Sequence, residues 1–308
     1  MMFSPDDICN ALNRIKNIIH KTPVMTSSYF DNLCGMEVYF KCEHLQKTGS
    51  FKARGALNAI THSSGNFGQA LAWAAKIHNI SCVVVAPNNT PTSKLEAMKH
   101  YGANVVLCEA REREVVCKSL RDKDERIEMV DPYDDHRVMA GQGTIAIEFL
   151  EEIPDLDALL VAVGGGGMCS GIVVAAKQIK PLIKVYCVEP EGKDLQHSFD
   201  SSSRLWDPNA DPLETVADGI RVLRVGIKCF PYICEKCEKK ILTVNDNEII
   251  EAMKLVYSRM KQAIEPTGAV SLAALLKYRD ELAAQNIKKI GVIFCGGNID
   301  LQKLASLF

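Results

Sequence analysis

Five segments of the chain are apolar along nearly their whole length, which is typical of strands buried on both faces of a sheet. Stretches with helical character lie between them, as in residues 91–101 and in 245–261, the second with a capped start at 243–248. This alternation predicts an α/β protein with open, mostly parallel, twisted sheets and flanking helices. The predicted strands are residues 81–86, 104–108, 159–163, 184–188 and 289–294.

The composition argues against several classes of protein. The 308 residues carry a formal net charge of −2 and give a pI of about 6.4, so no basic surface points to nucleic acid. No apolar run reaches the roughly 18–20 residues that a membrane span needs. The first residues lack the basic and apolar regions of a secretory signal. We therefore expect a cytoplasmic protein that binds neither nucleic acid nor a membrane.

Twelve cysteines are scattered singly through apolar segments. This distribution is typical of buried free thiols in a reducing compartment rather than of a disulfide framework. Cys234 and Cys237 form a lone C-x-x-C pair. Because no second pair and no histidine pair accompanies it, we interpret the spacing as a coincidence beside a helix rather than as a zinc site.

Four consecutive glycines follow the predicted strand 159–163 and precede a helix that begins near Met168. Glycines let a ligand approach the backbone closely, and free amides at a helix start favour an anion. The pattern predicts a phosphate-binding loop, although a dinucleotide-binding fold would place glycines here too, with Glu189 imitating its ribose-binding acid. The four residues are Gly164, Gly165, Gly166 and Gly167.

Lys52 follows a Thr-Gly-Ser turn and precedes a run of good helix formers. A lysine at the start of a helix, beside small hydrogen-bonding residues, is placed to form a Schiff base with an aldehyde cofactor. Two further loops are candidates for ligand contact. Residues 63–68 (SSGNFG) can offer amides and hydroxyls to a carboxylate, and Cys295 with the Gly-Gly-Asn after it ends the last predicted strand, where α/β sheets bind ligands.

These segments occur together with four longer motifs, namely Lys47-Thr-Gly-Ser-Phe-Lys52, Gly141-Gln-Gly-Thr-Ile145, Thr215-Val-Ala-Asp-Gly219 and Ile264-Glu-Pro-Thr267. In this order they resemble the fold-type II pyridoxal phosphate enzymes, the tryptophan synthase β-like family. Within it the chain is similar to the branch of serine racemases and threonine/serine dehydratases, and the resemblance covers almost the whole chain. It implies two open sheets, pyridoxal 5'-phosphate as the cofactor, an amino acid substrate (serine or threonine) and a homodimer.

The resemblance also implies roles for individual residues. Lys52 would hold the cofactor and move the Cα proton on one face of the substrate, and Ser64 would be the acid and base on the opposite face. Cys295 would face the pyridine nitrogen of the cofactor, where a neutral thiol is a weaker proton donor than an aspartic acid. The further cofactor-binding positions would be Phe51, Asn66, the four glycines, Met168, Gly219 and Glu265; the substrate-binding positions would be Ser63, Ser64, Gly65 and Asn66.

The resemblance predicts a large cofactor-binding domain from residues 1–57 with 135–308 and a small domain from 58–134. Only eleven residues separate Lys52 from Ser64, whereas relatives have a longer connector that completes a helix and supplies a strand. The small domain is therefore expected to lack a helix–strand segment near residues 60–61. Two single positions also depart from the family pattern: Phe67 replaces a histidine, and Tyr133 replaces the asparagine of the racemases.

The racemase branch also carries a divalent-cation site. Glu189 matches its first ligand and the carbonyl of Lys193 could be the second, but Leu195 stands where an aspartate is expected and Asp194 comes one residue early. Because a hard cation prefers oxygen ligands, this departure leaves the site incomplete. Mg²⁺ or Ca²⁺, and ATP, are thus candidate activators by resemblance.

Two bases on opposite faces are what racemisation needs, and loss of the β-hydroxyl from the same carbanion would give pyruvate and ammonia. The resemblance therefore predicts a serine racemase with possible elimination activity. A threonine/serine dehydratase without racemase activity is an alternative, because Asp131-Pro-Tyr-Asp-Asp135 is closer to the dehydratase pattern. A homologue impaired by the short connector is another, and a nucleotide-binding protein that uses the glycines alone would leave Lys52 and Cys295 unexplained.

Overall fold

The computed structural model describes residues 3–58, 65–88, 90–109, 111–124, 127–206 and 213–308. Strands and helices alternate along these ranges. The strands are β1 (Val24–Thr26), β2 (Glu37–Lys41), β3 (Val83–Pro87), β4 (Asn104–Cys108), β5 (Ala158–Ala162), β6 (Lys184–Pro190), β7 (Leu242–Val244) and β8 (Lys289–Ile293). The helices are α1 (Pro5–Ile15), α2 (Ser28–Cys34), α3 (Lys52–Asn58), α4 (Gly65–Ile77), α5 (Thr92–His100), α6 (Arg113–Lys123), α7 (His136–Glu152), α8 (Gly167–Ile179), α9 (Leu195–Asp200), α10 (Phe230–Lys236), α11 (Asp246–Leu255), α12 (Pro266–Ala284) and α13 (Leu301–Leu307).

The described strands form two sheets. Six of them make the larger sheet, in the order β1-β2-β8-β5-β6-β7, in which β1 runs antiparallel to β2 and every other pair is parallel. The strands β3 and β4 form a second, parallel sheet. This arrangement confirms the predicted α/β fold with two open, mostly parallel sheets.

Helices cover both faces of the larger sheet, and β5 at its centre is buried throughout. Successive side chains of a strand point to opposite faces. Leu159 and Val161 accordingly pack with residues of α1, α7 and α8, whereas Ala158 and Leu160 pack with residues of α11 and α12. Burial on both sides explains why this segment contains no polar residue.

All five predicted strands are present, with ends that differ by at most two residues from the prediction. The capped start of α11 is confirmed, since the side chain of Asn245 accepts from the amide of Glu248 while Glu248 caps Asn245 in return. Three strands, β1, β2 and β7, were not predicted. Two of them have only three residues, and β2 begins and ends in a charged residue, which hides it from a search for apolar runs.

The cysteines are free thiols, as predicted, and nine of the twelve are buried. Cys237 does not join Cys234 in a metal-ligand cluster. Its sulfur instead lies 3.7 Å from the sulfur of Cys169, which is also 3.7 Å from that of Cys187, within one apolar core beside α8. None of the described helices combines the length and the apolar character that crossing a bilayer requires.

The smaller sheet and the helices around it fall within the predicted small domain, whose boundaries stay a prediction. Between α3, which ends at Asn58, and α4, which begins at Gly65, lies the predicted deletion near residues 60–61. This position is outside the described residues. In the described part of the chain the smaller sheet has two strands, and the loss of a helix–strand segment stays a prediction.

A cluster of buried charges connects α3 to the larger sheet. Arg54 donates to both oxygens of Glu43 at 2.8 Å and to both oxygens of Glu148 at 2.7 Å. Lys41, at the end of β2, donates to Glu148 at 2.8 Å. Arg54, Lys41 and Glu43 have no exposed side-chain surface. The two cations balance the two carboxylates, so the cluster is neutral and its charged groups are hydrogen-bonded.

The same cluster fixes the start of α3. Arg54 lies two residues after Lys52, and α7 touches this part of α3 through Gly141, where a Cβ atom would lie 2.4 Å from the carbonyl oxygen of Arg54. A close helix contact of this kind requires glycine. The Gly141-Gln-Gly-Thr-Ile145 motif therefore has a packing role that places α3, and with it Lys52, against α7.

We expect Arg54→Met to lower the free energy of unfolding by about 3–5 kcal/mol, because it leaves two buried carboxylates with one cation. Urea denaturation followed by circular dichroism would measure the change. Arg121→Met is the matched control, since Arg121 forms an ion pair with Asp122 on the surface, and its loss should cost no more than about 1 kcal/mol. Equal effects of the two substitutions would contradict a structural role for the buried cluster.

Candidate active site

Lys52 is the first residue of α3 and lies beside the end of β8. The residues before it pair with the residues after that strand: the amide of Phe51 donates to the carbonyl of Cys295 at 3.1 Å, and Ser50 forms an isolated antiparallel bridge with Gly296. The segments that carry Lys52 and Cys295, which are far apart in the sequence, are thus brought together.

The side chain of Lys52 has no acidic partner in direct contact among the described residues. Its ammonium donates to the carbonyl of Pro132 at 3.0 Å and lies 5.0 and 5.5 Å from the ring centres of Phe51 and Phe67. Burial lowers the pKa of Lys52 to about 8, an effect that the charge of Asp131 partly opposes. The neutral amine that a nucleophile requires is therefore more populated near neutral pH than in an ordinary lysine.

The four glycines form the turn from β5 into α8. Gly166 has a φ of 98°, a left-handed conformation that favours glycine. Gly165 must also lack a side chain, because a Cβ atom there would lie 2.1 Å from the ring of Tyr133. The first amides of a helix have no partner within it, so those of Gly167 and Met168 are available to an anion at the helix start.

Cys295 and Gly219 meet at the start of α12. The thiol of Cys295 donates to the carbonyl of Thr267 at 3.4 Å, and the hydroxyl of Thr267 accepts from the amide of Gly219 at 3.0 Å. Cys295 is almost fully buried, and burial raises the pKa of its thiol far above the usual range. The group at this position is therefore a neutral thiol.

Glu265 is the buried residue immediately before α12. One of its oxygens accepts from the side-chain amide of Asn66 at 2.8 Å, and the other has no hydrogen-bond partner among the described residues. Burial raises the pKa of Glu265 to about 7, while the charge of Lys94 opposes the shift. Asn66 in turn accepts from Asn298 at 3.1 Å. A buried oxygen without a partner is unusual and marks a place for a ligand group.

The structure brings most of the predicted site residues to one region, at the start of α3, α8 and α12 and the end of β8. Ser63 and Ser64 lie outside the described residues. Gly65 is the first residue of α4 and Asn66 follows it. The roles of all these residues in binding and catalysis stay predictions, because position alone does not test them.

Several residues of this region were not singled out from the sequence. Pro132 and Asp131 determine the surroundings of the Lys52 amine. Lys94 pairs with Asp218 at 3.0 Å and opposes the charge of Glu265. Asp131 and Asp218 belong to motifs of the resemblance, so the motifs could have indicated them. Lys94 lies in an ordinary helical pattern and carries no such signal.

The predicted cation ligands have an unexpected arrangement. Glu189 is buried at the end of β6 and its carboxylate accepts from the backbone amide of Leu195, at 3.0 Å to the nearer oxygen. Lys193 is also buried, and its ammonium donates to the carbonyls of Gly164, at 2.8 Å, and of Val222. Burial raises the pKa of Glu189 and lowers that of Lys193, and each charge opposes the shift of the other.

Comparison with known proteins agrees with this geometry. The profile of the family described as "Pyridoxal-phosphate dependent enzyme" matches residues 15–296. The chain belongs to this family. Its similarity to a serine racemase of Dictyostelium discoideum is 44% identity, covering 98% of this chain and 96% of that protein. That match runs over 318 residues, more than the 308 of this chain, so it bridges positions that this chain lacks.

Solved structures extend the comparison. A pyridoxal 5'-phosphate-dependent aspartate racemase is similar with 46% identity and a TM-score of 0.93, covering 98% of this chain and 97% of that one. A threonine deaminase from T.th. is similar with 37% identity and a TM-score of 0.89, covering 96% and 99% of the two chains. This pyridoxal-phosphate family member therefore shares its fold along nearly its whole length with racemases and with a deaminase.

The residues present fit pyridoxal phosphate. The cofactor needs an amine for its aldehyde, donors for its phosphate and a partner for its ring. Lys52 supplies an amine whose pKa is lowered, the glycine turn supplies free amides, and the unpaired oxygen of Glu265 marks unfilled polar space beside Asn66. Lys52 and Glu265 lie beside the residues that follow β8, and the glycine turn follows β5, the strand that pairs with β8.

The pKa of Glu265 gives a prediction about stability. Between pH 4.5 and about 7 the folded chain binds a proton at this residue more tightly than the unfolded chain does, so ionisation disfavours the folded state as the pH rises. Glu265→Gln should therefore stabilise the apoprotein by about 1–3 kcal/mol at pH 8 and by almost nothing at pH 4. Urea unfolding at both pH values measures this. The exposed Glu235→Gln is the control, and a pH-independent gain for Glu265→Gln would contradict the assignment.

Proposed function

We propose that this chain is a pyridoxal-phosphate-dependent serine racemase, which interconverts L- and D-serine and also converts serine to pyruvate and ammonia, by β-elimination of water followed by hydrolysis of the product. The observation that carries the proposal is the position of Lys52. Its amine has a lowered pKa and lies on the segment that pairs with Cys295, in a chain that is 44% identical to a serine racemase over nearly its full length.

When bound, pyridoxal phosphate withdraws electrons from the substrate and makes its Cα–H acidic. The chain's own groups then have to hold the cofactor and move the proton. Lys52 would take the proton from Cα, or return it, on one face. The carbonyl of Pro132 accepts a hydrogen bond from its amine and would aim it. The lowered pKa keeps part of the side chain in the basic form near pH 7 to 8.

Ser64 would give or take the proton on the opposite face of Cα. This assignment follows from the resemblance, and Ser64 lies outside the described residues. Asn66, two residues further on, supports it indirectly. Its side chain is held by Glu265 and Asn298, so the start of α4 has a defined place at the site.

Cys295 would face the ring nitrogen of the cofactor. Its thiol stays protonated because burial raises its pKa. A neutral thiol beside the ring nitrogen leaves more negative charge on the substrate Cα than an ionic partner does. Return of a proton to Cα is then favoured over other outcomes, which is consistent with racemisation.

A threonine/serine dehydratase without racemase activity is the second candidate. The similarity to a threonine deaminase favours it, as does Tyr133, which packs on Gly165 and belongs to the dehydratase-like Asp131-Pro-Tyr-Asp-Asp135 segment. The similarity to an aspartate racemase makes aspartate an alternative substrate for the same chemistry. Chiral chromatography of reactions with L-serine, L-threonine and L-aspartate, with keto acids measured in parallel, would distinguish the three.

An impaired homologue is a further alternative because of the short connector between Lys52 and Ser64. Such a protein would bind the cofactor poorly or not at all, and it would neither change the chirality of serine nor produce a keto acid. A homodimer, activation by ATP and a cytoplasmic location stay predictions from the resemblance and the composition. Sedimentation of the purified protein, and assays with and without ATP, would test the first two.

Lys52→Ala should abolish stable capture of pyridoxal phosphate. Lys47→Ala is the matched control, because Lys47 is exposed in the same segment. After incubation with the cofactor and reduction with borohydride, mass mapping of peptides should find the added mass on Lys52 in the wild type and in Lys47→Ala. Label on another lysine, or none in the wild type, would refute the proposal.

Ser64→Ala should lower the rate of D-serine formation by about 10²-fold or more, the usual loss when an acid–base group is removed. The rate of pyruvate formation from L-serine should fall less. The two products have to be measured in the same reaction. Ser63→Ala is the comparison and should change both rates together, since Ser63 is assigned to substrate binding. D-serine formed at the native rate by Ser64→Ala would show that another group is the second base.

A further inference from the structure

The ammonium of Lys193 connects the glycine turn to Val222 and interacts with the charge of Glu189. It is almost fully buried and donates to the carbonyl of Gly164, the first glycine of the turn, and to that of Val222. Glu189, on the neighbouring strand end, supplies an opposing charge. A buried ammonium is costly unless it is paired and hydrogen-bonded, so this placement is a built feature of the fold.

The residues needed for a divalent cation do not fit here. Leu195 stands at the position expected for an aspartate, and its side chain is buried in the apolar core. Asp194, one residue earlier, points away: its carboxylate is mostly exposed and pairs with His197 at 2.8 Å. Among the described residues, the cation would have one carboxylate, that of Glu189, and that carboxylate already accepts from the amide of Leu195.

The ammonium and a hard cation seek the same partners. Ca²⁺ and Mg²⁺ bind backbone carbonyl and carboxylate oxygens, and a lysine ammonium donates three hydrogen bonds to such oxygens. An ion beside Glu189 would be repelled by the ammonium of Lys193, whose positive charge already interacts with that carboxylate. The two occupants therefore exclude one another.

The bond to Gly164 also has a consequence for the glycine turn. In a trans peptide the C=O and the following N–H point in opposite directions. Because the carbonyl of Gly164 points to Lys193, the amide of Gly165 points the other way. The carbonyl of Gly165 accepts from the amide of Gly226 at 2.9 Å, and that of Gly166 from Ser170 at 2.8 Å. Each of the three successive carbonyls thus has a partner within the chain, and the amide of Gly165 is directed away from Lys193.

We propose that the ammonium of Lys193 takes the place of the divalent cation and holds the Gly164–Gly165 peptide in the orientation that presents its amide to the cofactor phosphate. Lys193 is a positioning residue, since it acts through the glycine turn. Replacement of the cation by Lys193 does not depend on the proposed function, whereas presentation of the amide to the phosphate rests on it.

The first experiment uses the wild-type protein and tests the cation. Elemental analysis after dialysis should find no stoichiometric Mg²⁺ or Ca²⁺. The thermal unfolding midpoint should not shift with EDTA, nor with about 1 mM CaCl₂, a concentration above the dissociation constant of most calcium sites in proteins. A bound divalent ion in a one-to-one ratio, or a midpoint that EDTA lowers, would overturn the proposal whether or not the protein is an enzyme.

The second experiment compares Lys193→Met with Lys180→Met. Lys180 also donates to a carbonyl, that of Leu156 at 2.7 Å, but away from the glycine turn. Equilibrium dialysis of the apoprotein with pyridoxal phosphate should show an affinity about tenfold or more weaker for Lys193→Met, as expected for the loss of a charged hydrogen bond, and an unchanged affinity for Lys180→Met. Inorganic phosphate should compete less well in the Lys193 variant.

A third measurement separates positioning from simple destabilisation. Lys193→Met leaves a single carboxylate, that of Glu189, around the vacated space, so CaCl₂ should neither raise the unfolding midpoint of this variant nor restore its cofactor affinity. Lys193→Arg, by contrast, should recover most of the affinity that Lys193→Met loses. If Lys193→Met does not fold, Lys193→Arg, which retains the charge, provides the affinity comparison. Unchanged cofactor affinity in both Lys193 variants would overturn the role of Lys193 at the glycine turn, and the proposed function would still stand if the cofactor labelled Lys52. A wild-type protein that takes up no cofactor would instead refute the proposed function.

Discussion

The neutral cluster of Arg54, Lys41, Glu43 and Glu148 is the interaction on which the site depends. Arg54 donates to two carboxylates, Glu43 before α3 and Glu148 on α7, and it lies about half a helical turn from Lys52. The nucleophile therefore sits on a segment whose position is determined by charge geometry rather than by apolar packing alone. Charge geometry allows little displacement, because a small shift leaves a buried carboxylate without a donor.

Around this anchor the site is assembled from the ends of elements, and burial tunes each group in a different direction. Lys52 becomes a better base, Cys295 a poorer acid, and Glu265 a carboxyl that titrates near neutrality. All three shifts have the same first cause, the removal of water from a charged form. A single low-polarity region thus provides an amine, a neutral thiol and a carboxyl with one oxygen left for a ligand.

The sequence allowed the fold class and five strands to be predicted, and it singled out several residues that the structure brings together near the end of β8, because apolar runs and glycine turns report on local geometry. It contained no hint of β1 and β7, whose three residues are too short to form a pattern. Arg54 and Lys94 were missed for a different reason. Their importance comes from partners more than ninety and more than one hundred positions away in the sequence, Glu148 and Asp218, and no local periodicity records such pairs. The ammonium of Lys193 was missed likewise: the resemblance directed attention to its carbonyl.

The smaller sheet has a consequence for how binding and folding are linked. A pair of strands is marginally stable by itself, and the apolar cluster beside β3 is small, with Ala72, Val84, Met98 and Ala103 as its buried members. This half of the protein is expected to open locally at a lower free energy than the six-stranded half. Asn66 connects the two halves through Glu265. A ligand that binds at Asn66 and Glu265 would therefore slow amide hydrogen exchange in β3 and β4, so that ligand binding and the local order of the smaller sheet are thermodynamically linked.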